Sequence, residues 1–256
     1  MPIHPTAIVD PAARIAETAE VGPYTIVGAD VEIGARTRLM AHVFLEGPLN
    51  IGEDNVFSPY STIGVAPQDL KYHGERSATR IGHRNRIREF VTIHRGTEGG
   101  GMVTSIGDDN LLMAYVHLAH DVHIGSHIVL SHAATIGGHV EVENWAVVGA
   151  ATGIHQFCRV GRHAIIGGYS VITQDVLPFS STVSERENHI FGANKIGLER
   201  RGFTPDRLQQ LQKAYRVLLA AKLNTTQALE KMRTLPGDDV ALLVNFIETS
   251  KRGVIK

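Results

Sequence analysis

The sequence predicts a mainly β protein, a parallel β-helix built from hexapeptide repeats with a C-terminal α-helical domain, and three observations carry that expectation. An apolar residue, nearly always aliphatic, returns every sixth position through most of residues 1–178; two steps of the repeat are too long; and apolar stripes of helical period follow residue 203. A step of six is neither helical nor that of an ordinary strand, since a period of about 3.6 would scatter these residues around a helix and a period of 2 would need twice as many. Each hexad therefore reads as a short strand and a corner, and the apolar face of one coil is buried only by the next coil.

The repeat starts at Ile3 and runs through Val9, Ile15, Val21, Val27, Ile33, Leu39, Leu45, Ile51 and Phe57 to Ile63. It resumes at Ile81, Ile87 and Ile93, and again at Ile106, from which it continues without a slip through Leu112, Leu118, Ile124, Leu130, Ile136, Val142, Val148, Ile154, Val160 and Ile166 to Ile172. Glycines often follow the apolar residue (Gly22, Gly28, Gly34, Gly52, Gly64), where a tight corner is expected to favour a residue without a Cβ. The first long step carries twelve extra residues, about 69–80, and the second seven, about 99–105. Counting only the hexads gives 26, between eight and nine three-sided coils over residues 1–178. Residues 179–202 read as an irregular polar connector and 203–256 as the helical domain. There Thr204 resembles an N-cap with Pro205 at the first helical position, ahead of a stripe of Leu208, Leu211, Tyr215, Leu218 and Leu219. Ala228, Leu229 and Met232 suggest a second helix, and Val240, Leu243, Phe246 and Ile247 a third. Packed on the last coil, they would cover the open end of the β-helix.

Composition bounds the function classes. The 26 acidic and 25 basic residues nearly cancel, so no global field marks a nucleic-acid binder. The single Cys158 leaves no intramolecular disulfide and fits a reducing compartment. The opening Met1-Pro2-Ile3-His4 lacks the pattern of a secretory leader, and no apolar run reaches the roughly 18 residues of a spanning helix. The expectation is a cytoplasmic protein with no integral membrane segment.

In a three-sided coil every third hexad lies on one side, so those at Ile63, Ile93, Leu118, Ile136, Ile154 and Ile172 form one column. Both insertions leave from it, and His94, His120, His139 and His155 lie along it. A regular prism has no reason to gather its long loops and these histidines on one edge, whereas a binding cleft does; for any single histidine the competing reading is a packing or hydrogen-bonding role at a corner. His120 stands in the run His117-Leu118-Ala119-His120-Asp121, and steps of eighteen residues lead to Gly138 beside His139 and then to Gln156 beside His155. A base, a backbone N–H with no side chain in front of it and further polar groups are the minimum kit for acyl transfer to a hydroxyl: His120 takes the proton, Gly138 N–H steadies the oxyanion and the others orient the acceptor. Asp121 is a candidate to hold the imidazole tautomer, although neighbours in a strand point to opposite faces. No serine nucleophile motif is present, so direct transfer is the simpler mechanism.

Several interrupted motifs then carry a resemblance over almost the whole length. They are Gln68-Asp69-Leu70-Lys71-Tyr72, Ile81 to Arg88, Val91 to Thr97, Asp109 to Met113, His117 to Asp121, Gly138-His139-Val140, His155 to Cys158 and Arg200-Arg201-Gly202-Phe203. In these the chain resembles the UDP-N-acetylglucosamine acyltransferases of lipid A synthesis. The resemblance implies a left-handed parallel β-helix, a homotrimer with active sites between subunits, and no cofactor or metal. It implies transfer of an (R)-3-hydroxyacyl group from acyl carrier protein to the 3-hydroxyl of a UDP-sugar, UDP-GlcNAc. By position it makes His120 the general base, Asp121 its partner and Gly138 the oxyanion donor. Gln68, Asp69 and Lys71 match first-insertion contacts to the donor's hydroxyl and the sugar nucleotide; His94, His117, His139, His155 and Gln156 match the cleft lining; Asn194, Arg200 and Arg201 match the nucleotide end. Gly168 matches the place that limits acyl-chain length. Arg84, Arg86, Arg88, Arg159 and Arg162 are candidates for docking the acidic carrier protein. The chain departs from the pattern between Thr182 and Gly192, and at Ile196 where an acidic nucleotide contact can occur.

Two readings from other classes stand beside this one. A zinc hydratase would need about three histidines around one metal; His127 and His132 are five residues apart, but the position one coil earlier is Asp109. A non-catalytic scaffold would bind neither sugar nucleotide nor carrier protein.

Overall fold

The computed structural model describes residues 3–184, 188–220 and 222–255. Twenty-five strands, most of two residues, run from β1 (Ile8–Val9) to β25 (Val171–Ile172). Every third strand pairs in parallel with the next on its own face, giving three sheets wound into one prism, a left-handed parallel β-helix that departs from the usual right-handed crossover. The register is the eighteen-residue step itself: Leu118 pairs with Ile136, Ile136 with Ile154 and Ile154 with Ile172. The first face thus carries Thr62–Val65, Thr92–His94, His117–Leu118, Thr135–Ile136, Gly153–Ile154 and Val171–Ile172, the column expected from the spacing. The repeat residues point inward and stack as a single core in which Phe57, Ile63, Ile93, Leu118, Leu130 and Ile136 are wholly buried. Each such side chain stabilises by about 1.5–3 kcal/mol, but only when the coil above is in place.

The corners correct the expectation placed on the glycines. Of the five, only Gly64 has a positive φ, at 80°. Gly22 and Gly34 are needed for another reason: a Cβ on Gly22 would lie 2.8 Å from the Met40 carbonyl carbon, and one on Gly34 2.6 Å from that of Gly52. The stacked backbones approach too closely for a side chain. The left-handed residues are mostly not glycine, and they line the three edges: Arg36, Asp54, Arg84, Asp109, His127, Trp145 and His163 between the second and third faces, Tyr24, His42, Tyr60, Phe90 and Tyr115 between the third and first, and Asp121, His139 and Phe157 between the first and second. Each costs about 1–2 kcal/mol for a residue with a Cβ. Stacking offsets part of this, since the rings from Tyr24 to Tyr115 form a continuous column with centroids 4.9–5.1 Å apart.

Both insertions leave the edge between the first and second faces. The first runs through residues 66–77 and the second through 95–102, with a 3₁₀ turn at Glu98–Gly100. They begin a few residues before the gaps counted from the repeat, because the strands Ala78–Ile81 and Val103–Ile106 extend backwards along the second face.

The connector is not irregular. β26 (Ser180–Ser184) joins the third face in parallel and pairs antiparallel with β27 (Asn188–Ala193), and a short helix α1 (Lys195–Arg200) follows. The inward residues of β26 are Ser180 and Thr182, buried and polar, so the apolar signal that marks the other strands is missing. Part of the segment that departs from the resemblance, residues 185–187, lies outside the described residues. The three expected helices are α2 (Pro205–Leu218), α3 (Thr225–Met232) and α4 (Asp238–Glu248), with Thr204 capping α2 and an Asn224–Gln227 capping box opening α3. They dock through buried and partly buried polar contacts: Tyr215 donates its hydroxyl to Pro178 O, Arg159 pairs with Asp175 at 2.9 Å and reaches Phe246 O at 3.1 Å, and Ser250 donates to Asp175 at 2.8 Å. No helix among the described residues is long and apolar enough to cross a membrane.

Candidate active site

His120 and Asp121 lie in the corner that leaves the strand His117–Leu118, not in the strand itself. Asp121 has a φ of 57°, and this left-handed turn swings its side chain back beside the imidazole, so the rule that neighbours point apart does not apply. His120 Nδ1 is 2.8 Å from Asp121 Oδ2. With the carboxylate ionised, Nδ1 carries the proton and Nε2 is left free to accept one. Asp121 is almost wholly buried, whereas the His120 side chain keeps 14 % of its surface open to the cleft.

Gly138 lies against the ring. A Cβ there would come within 2.8 Å of His120 Cε1 and Nε2, so any side chain at 138 would displace the imidazole. One more coil along, Phe157 stacks on His139 at 4.4 Å, and the His139 ring meets His120 edge-on at 5.0 Å. His94 and His117 form a second edge-on pair at 4.8 Å, and His117 Nδ1 is 2.7 Å from Thr92 Oγ1. Burial lowers His94 to about 4, helped by His117 and His120. Burial also lowers His117 and His139, with the Asp121 charge opposing the shift at His139. These neighbours are therefore neutral at pH 7 and do not compete with His120 for Asp121 as cations.

The two insertions wall a cavity of about 790 Å³ lined by Asp69, Lys71, Glu75, Thr97, His139 and Phe157 among others. Asp69 Oδ2 is 4.0 Å from His120 Nε2, and Asp69 accepts from the Lys71 N–H at 3.0 Å. Glu98 N–H donates to Glu75 at 3.2 Å and ties one insertion to the other. Gln68 is exposed on the same loop, and His155 Nδ1 contacts Gln156 O at 3.1 Å. Sequence reasoning missed His73, Glu75, Thr97, Glu98 and Phe157. Phe157 was within reach, one eighteen-residue step past His139; the others lie on insertions, where no repeat says which side chains face inward.

Other candidates are not brought to this edge within one chain. Asn194 donates to His163 O at 3.1 Å, and the Arg201 guanidinium lies 5.6 Å above the Trp145 ring, both at the edge between the second and third faces; Arg200 is exposed on α1. Arg84 is held by Asp109 at 2.7 Å on that same edge, Arg162 pairs with Glu143, Arg88 with Glu89, and Arg159 is committed to Asp175 and the C-terminal helices. Among the described residues Arg86 has no carboxylate partner. Gly168 sits near the edge between the third and first faces, where a Cβ would meet Ala150 O at 3.1 Å. His127 and His132 fall on different edges, one stacked on Trp145 and the other edge-on to Tyr115. The metal-competent group among the described residues is instead His120, Asp121 and His139, whose first two members already hydrogen-bond to each other.

A left-handed β-helix of six-residue repeats whose loop-bearing edge carries a His–Asp pair in a polar cleft is a hexapeptide-repeat transferase. Residues 104–138 match the family model for the bacterial transferase hexapeptide, and residues 175–255 match that for domain 2 of UDP-N-acetylglucosamine O-acyltransferase. Acyl-[acyl-carrier-protein]–UDP-N-acetylglucosamine O-acyltransferases of Xanthomonas campestris and Stenotrophomonas maltophilia are 45% and 44% identical, each over 99% of this chain and 97% of theirs. The solved UDP-N-acetylglucosamine O-acyltransferase of Moraxella catarrhalis superposes with a TM-score of 0.96 at 40% identity, covering 100% of both chains. The chain belongs to the acyl-[acyl-carrier-protein]–UDP-N-acetylglucosamine O-acyltransferase family.

Proposed function

We propose that this protein transfers an (R)-3-hydroxyacyl group from acyl carrier protein to the 3-hydroxyl of UDP-GlcNAc, the first step of lipid A synthesis, with His120 as general base. The observation that carries the mechanism is the His120–Asp121 pair with Gly138 directly against the ring at the cleft. Nε2 of His120 takes the proton of the acceptor hydroxyl as its oxygen attacks the thioester carbonyl. Asp121 holds the imidazolium that results, and Gly138 N–H donates to the oxyanion. Collapse of the tetrahedral intermediate breaks the C–S bond, and the carrier thiolate recovers the proton from Nε2. Lys71 supplies a point charge to the nucleotide phosphates.

The enzyme works as a cytoplasmic homotrimer whose site joins His120 of one copy to Asn194, Arg200 and Arg201 of a neighbour. The reason is spatial: the resemblance assigns the catalytic pair and Arg201 to one site, and they stand on different edges of one prism. Arg84 and Arg162 share the edge of Arg201, and with Arg86 and Arg88 they are the candidates for docking the acidic carrier.

The test is an acyl-transfer assay offering UDP-GlcNAc or its 3-amino analogue with a series of 3-hydroxyacyl carrier proteins, run on wild type and His120→Ala. Wild type is expected to acylate UDP-GlcNAc at oxygen, with kcat falling about 10²- to 10⁴-fold in the variant. Exclusive use of the amine would overturn the acceptor, and a fully active variant would overturn the base.

A further inference from the structure

Two of the three hydrogen bonds to the Asp121 carboxylate come from the second insertion, the third from His120. Thr97 stands where that insertion begins, and it donates twice: its N–H to Oδ1 at 2.9 Å and its hydroxyl to Oδ2 at 2.6 Å. Oδ2 is also the oxygen that faces His120 Nδ1, at 2.8 Å. The backbone N–H of Asp121 donates to Thr104 Oγ1 at 2.8 Å, on the strand to which the insertion returns. The chain also passes directly over the carboxylate. A Cβ on Gly100 would lie 1.9 Å from Asp121 Cγ, and one on Gly96 2.8 Å from Oδ1, so both positions admit no side chain while the carboxylate stays in place. Asp121 is 1% exposed as a result, with the three N–H or O–H donors that compensate a buried charge.

We infer that Thr97 is a positioning residue for the transfer reaction, acting through Asp121 to fix the His120 tautomer and ring angle, and that the second insertion forms the lid of this pair. The inference rests on the reading of His120 as base. It assigns the insertion a task in the chemistry beyond walling the cavity. Without the Thr97 hydroxyl the carboxylate keeps the Thr97 N–H on Oδ1 and His120 on Oδ2 but is held less tightly about its Cβ–Cγ bond, and small misplacements of a catalytic group cost rate steeply. Losing the Thr97 hydroxyl also concentrates charge on the oxygen that faces His120, which favours the imidazolium.

Thr97→Val keeps the shape and removes the hydroxyl donor; Thr97→Ser keeps the donor and removes a methyl group. Thr97→Val is expected to lose about 10- to 100-fold in kcat with little change in KM. The acid limb of its kcat/KM profile is expected to move to higher pH, and Thr97→Ser to keep both near wild type. Gly100→Ala, which presses on the carboxylate from the other side, is expected to lower kcat in the same way and gives the reading should Thr97→Val fail to fold. Overturning results are an acid limb in Thr97→Val that stays or moves to lower pH, a Thr97→Ser as impaired as Thr97→Val, or a fully active Gly100→Ala. His120→Ala measured alongside separates the two levels. If it is inactive while Thr97→Val behaves as wild type, this inference alone falls; if it is active, the reading beneath it falls as well.

Discussion

At the scale of single residues, the site depends on where side chains are missing. Gly138 leaves room for the His120 ring, and Gly153 on the first face has open space where a side chain would project. The edge between the third and first faces is aromatic from Tyr24 to Tyr115, but Ala133 and Ala151 follow before Tyr169 restores the pattern. Gly153, Ala133 and Ala151 are the small residues between the His120 edge and Gly168, and we propose that the acyl chain lies over them. A long 3-hydroxyacyl donor of roughly fourteen carbons is therefore expected to be preferred over one of ten, since each buried CH₂ contributes about 0.8 kcal/mol. Gly168→Met should shift the preference toward shorter donors without loss of the His120 chemistry. Competition between donors of different length in one assay checks this, and an unchanged profile in the folded, active variant would place the stop elsewhere.

At the scale of elements, the edges couple stability to pH. His94 on the cleft edge and His163, stacked between Trp145 and Phe179 on another, are both pushed down by burial to about 4. In the unfolded chain each titrates near 6.5, so between these values the unfolded state binds more protons. Their contribution is complete above about pH 6.5 and is lost as pH falls toward 4. For the well-buried His94 a shift of this size corresponds to about 3 kcal/mol at most. Urea midpoints should fall between pH 7 and 4.5, and His163→Phe should fall less over that interval. Equal acid sensitivity in the variant would remove His163 from the account.

At the scale of the whole molecule, the proposed trimer joins the His120 edge of one copy to the Arg201 edge of another. Mixing His120→Ala and Arg201→Ala chains during refolding tests whether copies complete each other. If the site lies between subunits, random mixed trimers carry about a quarter of their sites with both residues intact. Activity near that fraction is the expected result, and activity no higher than that of the separate variants would confine the site to one chain.

The sequence alone determined the coiled repeat and, once three sides are taken, which hexads share a face and which edge bears the insertions, because a six-residue step converts position directly into face and coil. That arithmetic places His120, Gly138 and His139 together, as the structure does. It ended where the repeat ended. The inward side chains of the insertions, Thr97 and Glu75 among them, follow no period, and the β26 hairpin hides behind buried Ser180 and Thr182. Only the tertiary structure decided that Asp121 turns back to His120, because a left-handed residue at a corner reverses the direction its side chain would take in a strand. The glycines that looked like turn formers are spacers between stacked backbones, a distinction that depends on the neighbouring coil eighteen residues away and not on local sequence.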